Sequence, residues 1–179
     1  AMESLFQYVN DVLKKKRPNK ESAFLPIICH YYMLYIHPYF DYNGRTARMV
    51  YIWISCLGDY PLEPIYLSEA INDCKSAYYS AIEETRNSRN DLTYFIIFCL
   101  SLIRSYQMIY KVCDEIEDRI EETGDSLTAG DLYNLKRILV NRQSGYFTSK
   151  TFETWTSRDV SRQASCKELL KLENLGILI

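Results

Sequence analysis

The chain has 179 residues, 21 Lys+Arg against 23 Asp+Glu and a net charge of −2, with 47% apolar and 25% charged side chains. This mixture supplies material for one or two cores and excludes an intrinsically disordered chain. The longest apolar run, Tyr94 to Ile103, is ten residues and stops at Arg104. A spanning helix needs roughly 20, so the run reads as a buried helix and no membrane contact is expected.

Charge is unevenly spread. Residues 1–130 hold 13 bases and 18 acids, whereas 131–179 hold 8 bases and 5 acids. Parts of opposite sign suggest two jobs. Six cysteines show no C-x-x-C spacing, which points to reduced, buried thiols in a cytoplasmic protein. Tyrosine is abundant, at 16 residues.

Helix signals dominate the chain. Leu5, Phe6, Val9, Val12 and Leu13 repeat at helical spacing up to Lys14-Lys15-Lys16-Arg17-Pro18, a basic run that complements a helix C-terminus. A second helix is predicted from Ser22 to Ile36, with Pro26 tolerated in its first turn. His37–Asn43 reads as a loop, and Arg45–Leu57 as a helix capped by Gly58. Pro61 and Pro64 mark a connection. Ser68 reads as the N-cap of a helix through Glu84, and Asn90 or Asp91 caps another that continues to Glu122. The two-glycine stretch 123–130 is the linker candidate. The predicted organisation is a domain at 2–122, a linker at 123–130 and a second domain at 131–179.

Residues 37–48 read His-Pro-Tyr-Phe-Asp-Tyr-Asn-Gly-Arg-Thr-Ala-Arg. A histidine and a carboxylate share a loop that enters a helix N-terminus, where free N–H groups and the dipole favour an anion. Arg45 and Arg48, three apart, fall on neighbouring positions of that helix and suit phosphate oxygens. Asp41 suits Mg²⁺, which combines carboxylate with phosphate oxygens. His37 suits proton abstraction near neutral pH. The set describes a phosphoryl or nucleotidyl transfer site. Taken singly, a histidine at a helix end is a cap, and Asp41 with Arg48 is a surface pair. His30 reads as a core histidine.

This segment resembles the Fic-family signature His-Pro-Phe-x-Asp-Gly-Asn-Gly-Arg-x-x-Arg, with Tyr39 for the phenylalanine and Tyr42 for the first glycine. Cys29-His30-Tyr31-Tyr32-Met33 and Tyr78-Tyr79 look similar to the family as well, so the resemblance covers roughly residues 2–110. It implies an all-α fold, a Fic-type helical bundle, and transfer of AMP from Mg·ATP to a Ser, Thr or Tyr hydroxyl of a target protein. It implies His37 as general base, Asp41 as Mg²⁺ ligand, Asn43 and Gly44 as the phosphate nest, and Arg45 and Arg48 at the outer phosphates. Tyr78 and Tyr79 would border the base, or simply fill the core.

Family members also carry a β-hairpin flap ahead of the helix that begins here near Met2, and many carry an inhibitory helix. Little chain precedes Met2, and no Ser/Thr-x-x-x-Glu-Gly/Asn segment occurs. Tyr42, where glycine permits positive φ, and the missing flap are expected to weaken activity. Alternatives are a phosphotransferase or other nucleotidyl donor on the same loop, and a nucleotide-responsive DNA-binding regulator without transfer activity.

The 131–179 part reads as three helices and the start of a strand, similar to a small winged helix-turn-helix. Leu132, Leu135, Ile138 and Leu139 line its first helix. Ser161 starts the third, and Gly176-Ile177-Leu178 enters the wing. Arg162, Gln163 and Ser165 would then meet DNA, with Arg158 and Lys167 on phosphates. A packing or protein-interaction module is the other reading.

Overall fold

Leu5, Val9 and Val12 repeat at helical spacing, and in the computed structural model the helix Met2–Leu13 (α1) buries all three. The structure describes residues 1–14, 22–57, 64–141, 146–156 and 161–178. The basic residues 15–18, the Gly58 cap, Pro61 and Arg158 lie outside them. Contacts divide the chain into two units, Ala1–Gln107 and Met108–Ile179. The described residues are predominantly helical and include no strand.

In the first unit a 3₁₀ turn at Ser22–Phe24 leads into Leu25–Ile36 (α2), with Pro26 in the first turn. Leu25, Ile27, Cys29, His30, Tyr31 and Met33 are all buried, so α2 is apolar on nearly every side, as a central helix must be. Asn43–Leu57 (α3) is its main partner. One cluster joins α1, α2 and α3 through Leu5, Val9, Met33, Ala47 and Ile54. A second gathers Ile27, Tyr31, Tyr51, Phe95, Cys99 and Ile103.

The helix predicted from Ser68 to Glu84 is two helices, Pro64–Asp73 (α4) and Lys75–Asn87 (α5). Ser68 lies inside α4 rather than capping it, because Pro64 already starts the helix and proline suits that place. The break falls at Cys74, whose φ −127° and ψ 42° are not helical. Before Leu92–Glu122 (α6), Arg89 and Asn90 both take φ 60°. The Asn90 side-chain Oδ1 accepts from the Tyr31 hydroxyl at 2.8 Å, and Asp91 accepts from the Thr93 N–H at 3.0 Å as the N-cap.

The apolar run in α6 is buried on one face only. Phe95, Cys99, Ile103 and Tyr106 point into the core, while Tyr94 and Ile97 are exposed. By length and composition alone α6 is long enough to cross a membrane, but this stripe belongs to the core just described. The cysteines follow the same division. Cys29, Cys99 and Cys113 are buried, with burial pushing the Cys29 thiol up to about 12, whereas Cys56 is exposed.

The second unit holds Ala129–Asn141 (α7), Ser149–Thr156 (α8) and Arg162–Asn174 (α9), with Ile138, Phe152 and Leu172 at its centre. The 123–130 stretch joins α6 to α7 within this unit. Thr128 and Asp131 form a capping box at its end: the Thr128 N–H donates to the Asp131 carboxylate at 2.8 Å, and the Asp131 N–H to the Thr128 hydroxyl at 3.3 Å. Lys171 on α9 donates to the same carboxylate. Burial works to raise the Asp131 pKa, and the bonds from Lys171 and Thr128 outweigh it, so the group sits below its ordinary value. Ser161 caps α9 through the Ala164 N–H. The expected wing start is instead a helix ending. Gly176 takes φ 69°, and the N–H groups of Ile177 and Leu178 return to the Leu172 carbonyl.

Candidate active site

The loop between α2 and α3 begins where α2 stops. His37 is the C-cap residue at φ 49°, its N–H donating to the Met33 carbonyl at 3.2 Å. This left-handed step turns the chain away from the helix axis and leaves the imidazole exposed. At the other end Tyr42 takes φ 64°. Its carbonyl accepts from the Thr46 N–H at 2.9 Å and the Thr46 hydroxyl at 3.1 Å, and its N–H donates to Asp41 Oδ1 at 2.6 Å. The glycine-like geometry is present although a tyrosine occupies the place. A side chain in this region costs roughly 1–2 kcal/mol.

Asn43 organises the loop from within. Its side chain mirrors a peptide, with Nδ2 donating to the Tyr39 carbonyl at 2.6 Å and Oδ1 accepting from the Tyr39 N–H at 3.0 Å. The same Nδ2 lies 3.2 Å from both ring nitrogens of His37. Asn43 is 4% exposed. Its carboxamide is thus engaged inside the loop, and an anion at this end of α3 meets backbone N–H groups.

A cavity of about 560 Å³ opens onto the loop. His37, Asp41, Asn43, Gly44, Arg45 and Arg48 all line it, and Tyr78 and Tyr79 line it from α5. The structure therefore brings together the eight residues singled out here from sequence. It adds Phe40 and Leu34, and from α5 Ile82 and Arg86. The α5 pair was legible in principle, since 78, 82 and 86 follow one helix face. The Arg45 guanidinium carbon stands 4.9 Å from the centre of the Tyr42 ring, a cation–π contact across the mouth. A Cβ built on Gly44 would lie 3.7 Å from Arg48 Nη1, so Arg48 folds back over the helix start.

Beneath this floor, His30 Nε2 lies 2.7 Å from the Tyr78 hydroxyl, and Nδ1 has no hydrogen-bond partner among the described residues. His30 is fully buried, edge-on to the Tyr51 and Tyr78 rings. Burial first, then the charge of Arg48, lowers its pKa to about 3. His30 is a neutral core group that holds the Tyr78 hydroxyl.

Among the described residues no cluster of three or more His, Cys, Asp or Glu gathers to hold a metal. Asp41 stands alone and exposed, with one carboxylate oxygen on the Tyr42 N–H. One carboxylate beside a phosphate nest fits Mg²⁺, which takes its other ligands from phosphate and water.

In the second unit, Arg162, Gln163 and Lys167 are exposed on α9. Ser165 is not: it is 1% exposed and turned into the core, so it does not belong to a DNA-facing surface.

No solved structure matches the chain. The Fic/DOC family model matches residues 1–55, which contain the whole of the His37–Arg48 loop and helix start, and this supports a Fic-family assignment through that part of the chain.

Proposed function

We propose that the chain is a Fic-type nucleotidyltransferase that moves AMP from Mg·ATP to a Ser, Thr or Tyr hydroxyl of a target protein. The observation that carries this reading is the single cavity shared by His37, Asp41, the N-terminus of α3, Arg45 and Arg48. His37, exposed at the mouth, takes the proton of the target hydroxyl. The freed oxygen attacks the α-phosphorus, the bond to the bridging oxygen breaks, and pyrophosphate leaves. Arg45 and Arg48 stabilise the charge that develops on the outer phosphates, and the N–H groups of Asn43 and Gly44 cradle the phosphate nearest His37. Asp41 is the residue that would hold Mg²⁺, whose charge neutralises phosphate oxygens when it is bound. The Tyr78, Tyr79 and Ile82 wall suits the base. Incubation with Mg·ATP and a cell lysate tests the reading. Mass spectrometry should find AMP on Ser, Thr or Tyr, and none with His37→Ala. A phosphate adduct that appears with the wild type and is lost with His37→Ala would instead place the chain among phosphotransferases.

A second reading rests on α9. Arg162, Gln163 and Lys167 are exposed together on α9, the helix after α8, and this favours a small helical module that binds DNA. Arg162→Ala should weaken DNA binding and flatten its salt dependence by about one phosphate contact; DNA binding absent in the wild type removes the reading.

A further inference from the structure

A second cavity, of about 470 Å³, shares the Arg45, Arg48, Tyr78 and Tyr79 walls with the first. Its other polar lining among the described residues is Lys75, Asn72 and Ser68, with no carboxylate. Among the described residues none of the three cations has an ion-pair partner, unlike Lys111 with Glu115 and Lys171 with Asp131. Three uncompensated positive charges around one cavity repel one another, and an anion relieves that repulsion.

We propose that this second cavity is the outer-phosphate end of the nucleotide site, and that Lys75 sets a preference for a nucleoside triphosphate over the di- and monophosphate. The inference rests on the nucleotide-transfer reading above. A phosphate held at the start of α3 lies in the first cavity. The phosphates beyond it reach the arginines common to both cavities, and only the terminal group reaches Lys75. A lysine ammonium is a compact point charge on a long stem, suited to a terminal phosphate rather than to a bidentate clamp.

Calorimetric titration of the full chain with Mg·ATP, ADP, AMP and inorganic tripolyphosphate tests this. Lys75 is exposed, so Lys75→Ala leaves the fold intact, checked by thermal melting. The variant should lose about tenfold in ATP affinity, as expected for one charge-assisted contact, with AMP unchanged, and Lys75→Arg should restore most of the loss. Equal ATP affinity in wild type and Lys75→Ala overturns the inference while leaving the transfer reading intact. If the wild type binds no nucleotide, the transfer reading falls. Lys75-dependent binding of tripolyphosphate then still supports an anion site at Lys75, and no such binding overturns it.

Discussion

The carboxamide nitrogen of Asn43 lies 3.2 Å from both ring nitrogens of His37 while it donates to the Tyr39 carbonyl. One buried side chain therefore sets the loop backbone and the place of the imidazole together. Asn43→Ala removes the acceptor of the Tyr39 N–H and the donor to its carbonyl at once. The expected cost is about 2 kcal/mol of stability by urea denaturation and at least a tenfold loss of transfer. A variant with unchanged activity would show that Asn43 does not position His37.

Tyr42 holds a backbone geometry that glycine adopts freely, and its ring engages Arg45. Tyr42→Gly relieves roughly 1–2 kcal/mol of left-handed strain and forfeits the cation–π contact, about 0.5–1 kcal/mol. Melting should therefore move little, whereas Arg45, released from the ring, should raise transfer severalfold. A stability loss beyond about 2 kcal/mol would mean that the tyrosine is needed for the loop to fold.

Burial and Arg48 lower the His30 pKa to about 3. Below about pH 6.5 the unfolded chain takes up a proton that the folded chain refuses until near that value. Its contribution is complete above pH 6.5 and is lost as pH falls, at about 1.4 kcal/mol per pH unit. Denaturation from pH 7 to 4.5 should show this slope in the wild type and a shallower one in His30→Gln, which keeps a partner for Tyr78. Equal slopes would mean that His30 is not held neutral.

Asp131 is nearly buried and depends on Lys171 and Thr128. Lys171→Ala leaves that carboxylate short of a partner and should cost about 2 kcal/mol, read from unfolding of the second unit. Because the Asp131 pKa is depressed, the pair stabilises above the ordinary carboxylate range and fades as pH falls below it. The deficit of Lys171→Ala against the wild type should therefore shrink in acid.

Much of this was legible along the chain because the relevant contacts are local. Leu5, Val9 and Val12 announce α1 by spacing, Asp91 is the cap of the two candidates Asn90 and Asp91, Ser161 stands at the start of α9 as expected, and the 37–48 loop gathers its chemistry within twelve residues. What sequence missed depends on long-range placement. Ser68 resembles a cap until Pro64 starts the helix earlier. Ser165 looks polar and available, yet α9 turns it inward. The His30–Tyr78 contact joins residues 48 apart, a separation that periodicity does not reveal. Lys75 lines the second cavity from the first turn of α5, just past a break at Cys74 that the sequence reading did not place.

The central claim is that His37 drives transfer of the α-phosphoryl group with its nucleoside, and the position of a radiolabel tests it most directly. With ATP labelled at the α-phosphate, wild-type protein, Mg²⁺ and a lysate, protein-bound label should appear and should vanish with His37→Ala. With γ-labelled ATP no protein label should depend on His37. Label transferred from the γ position in a His37-dependent manner, or α label that persists in His37→Ala, would contradict the account.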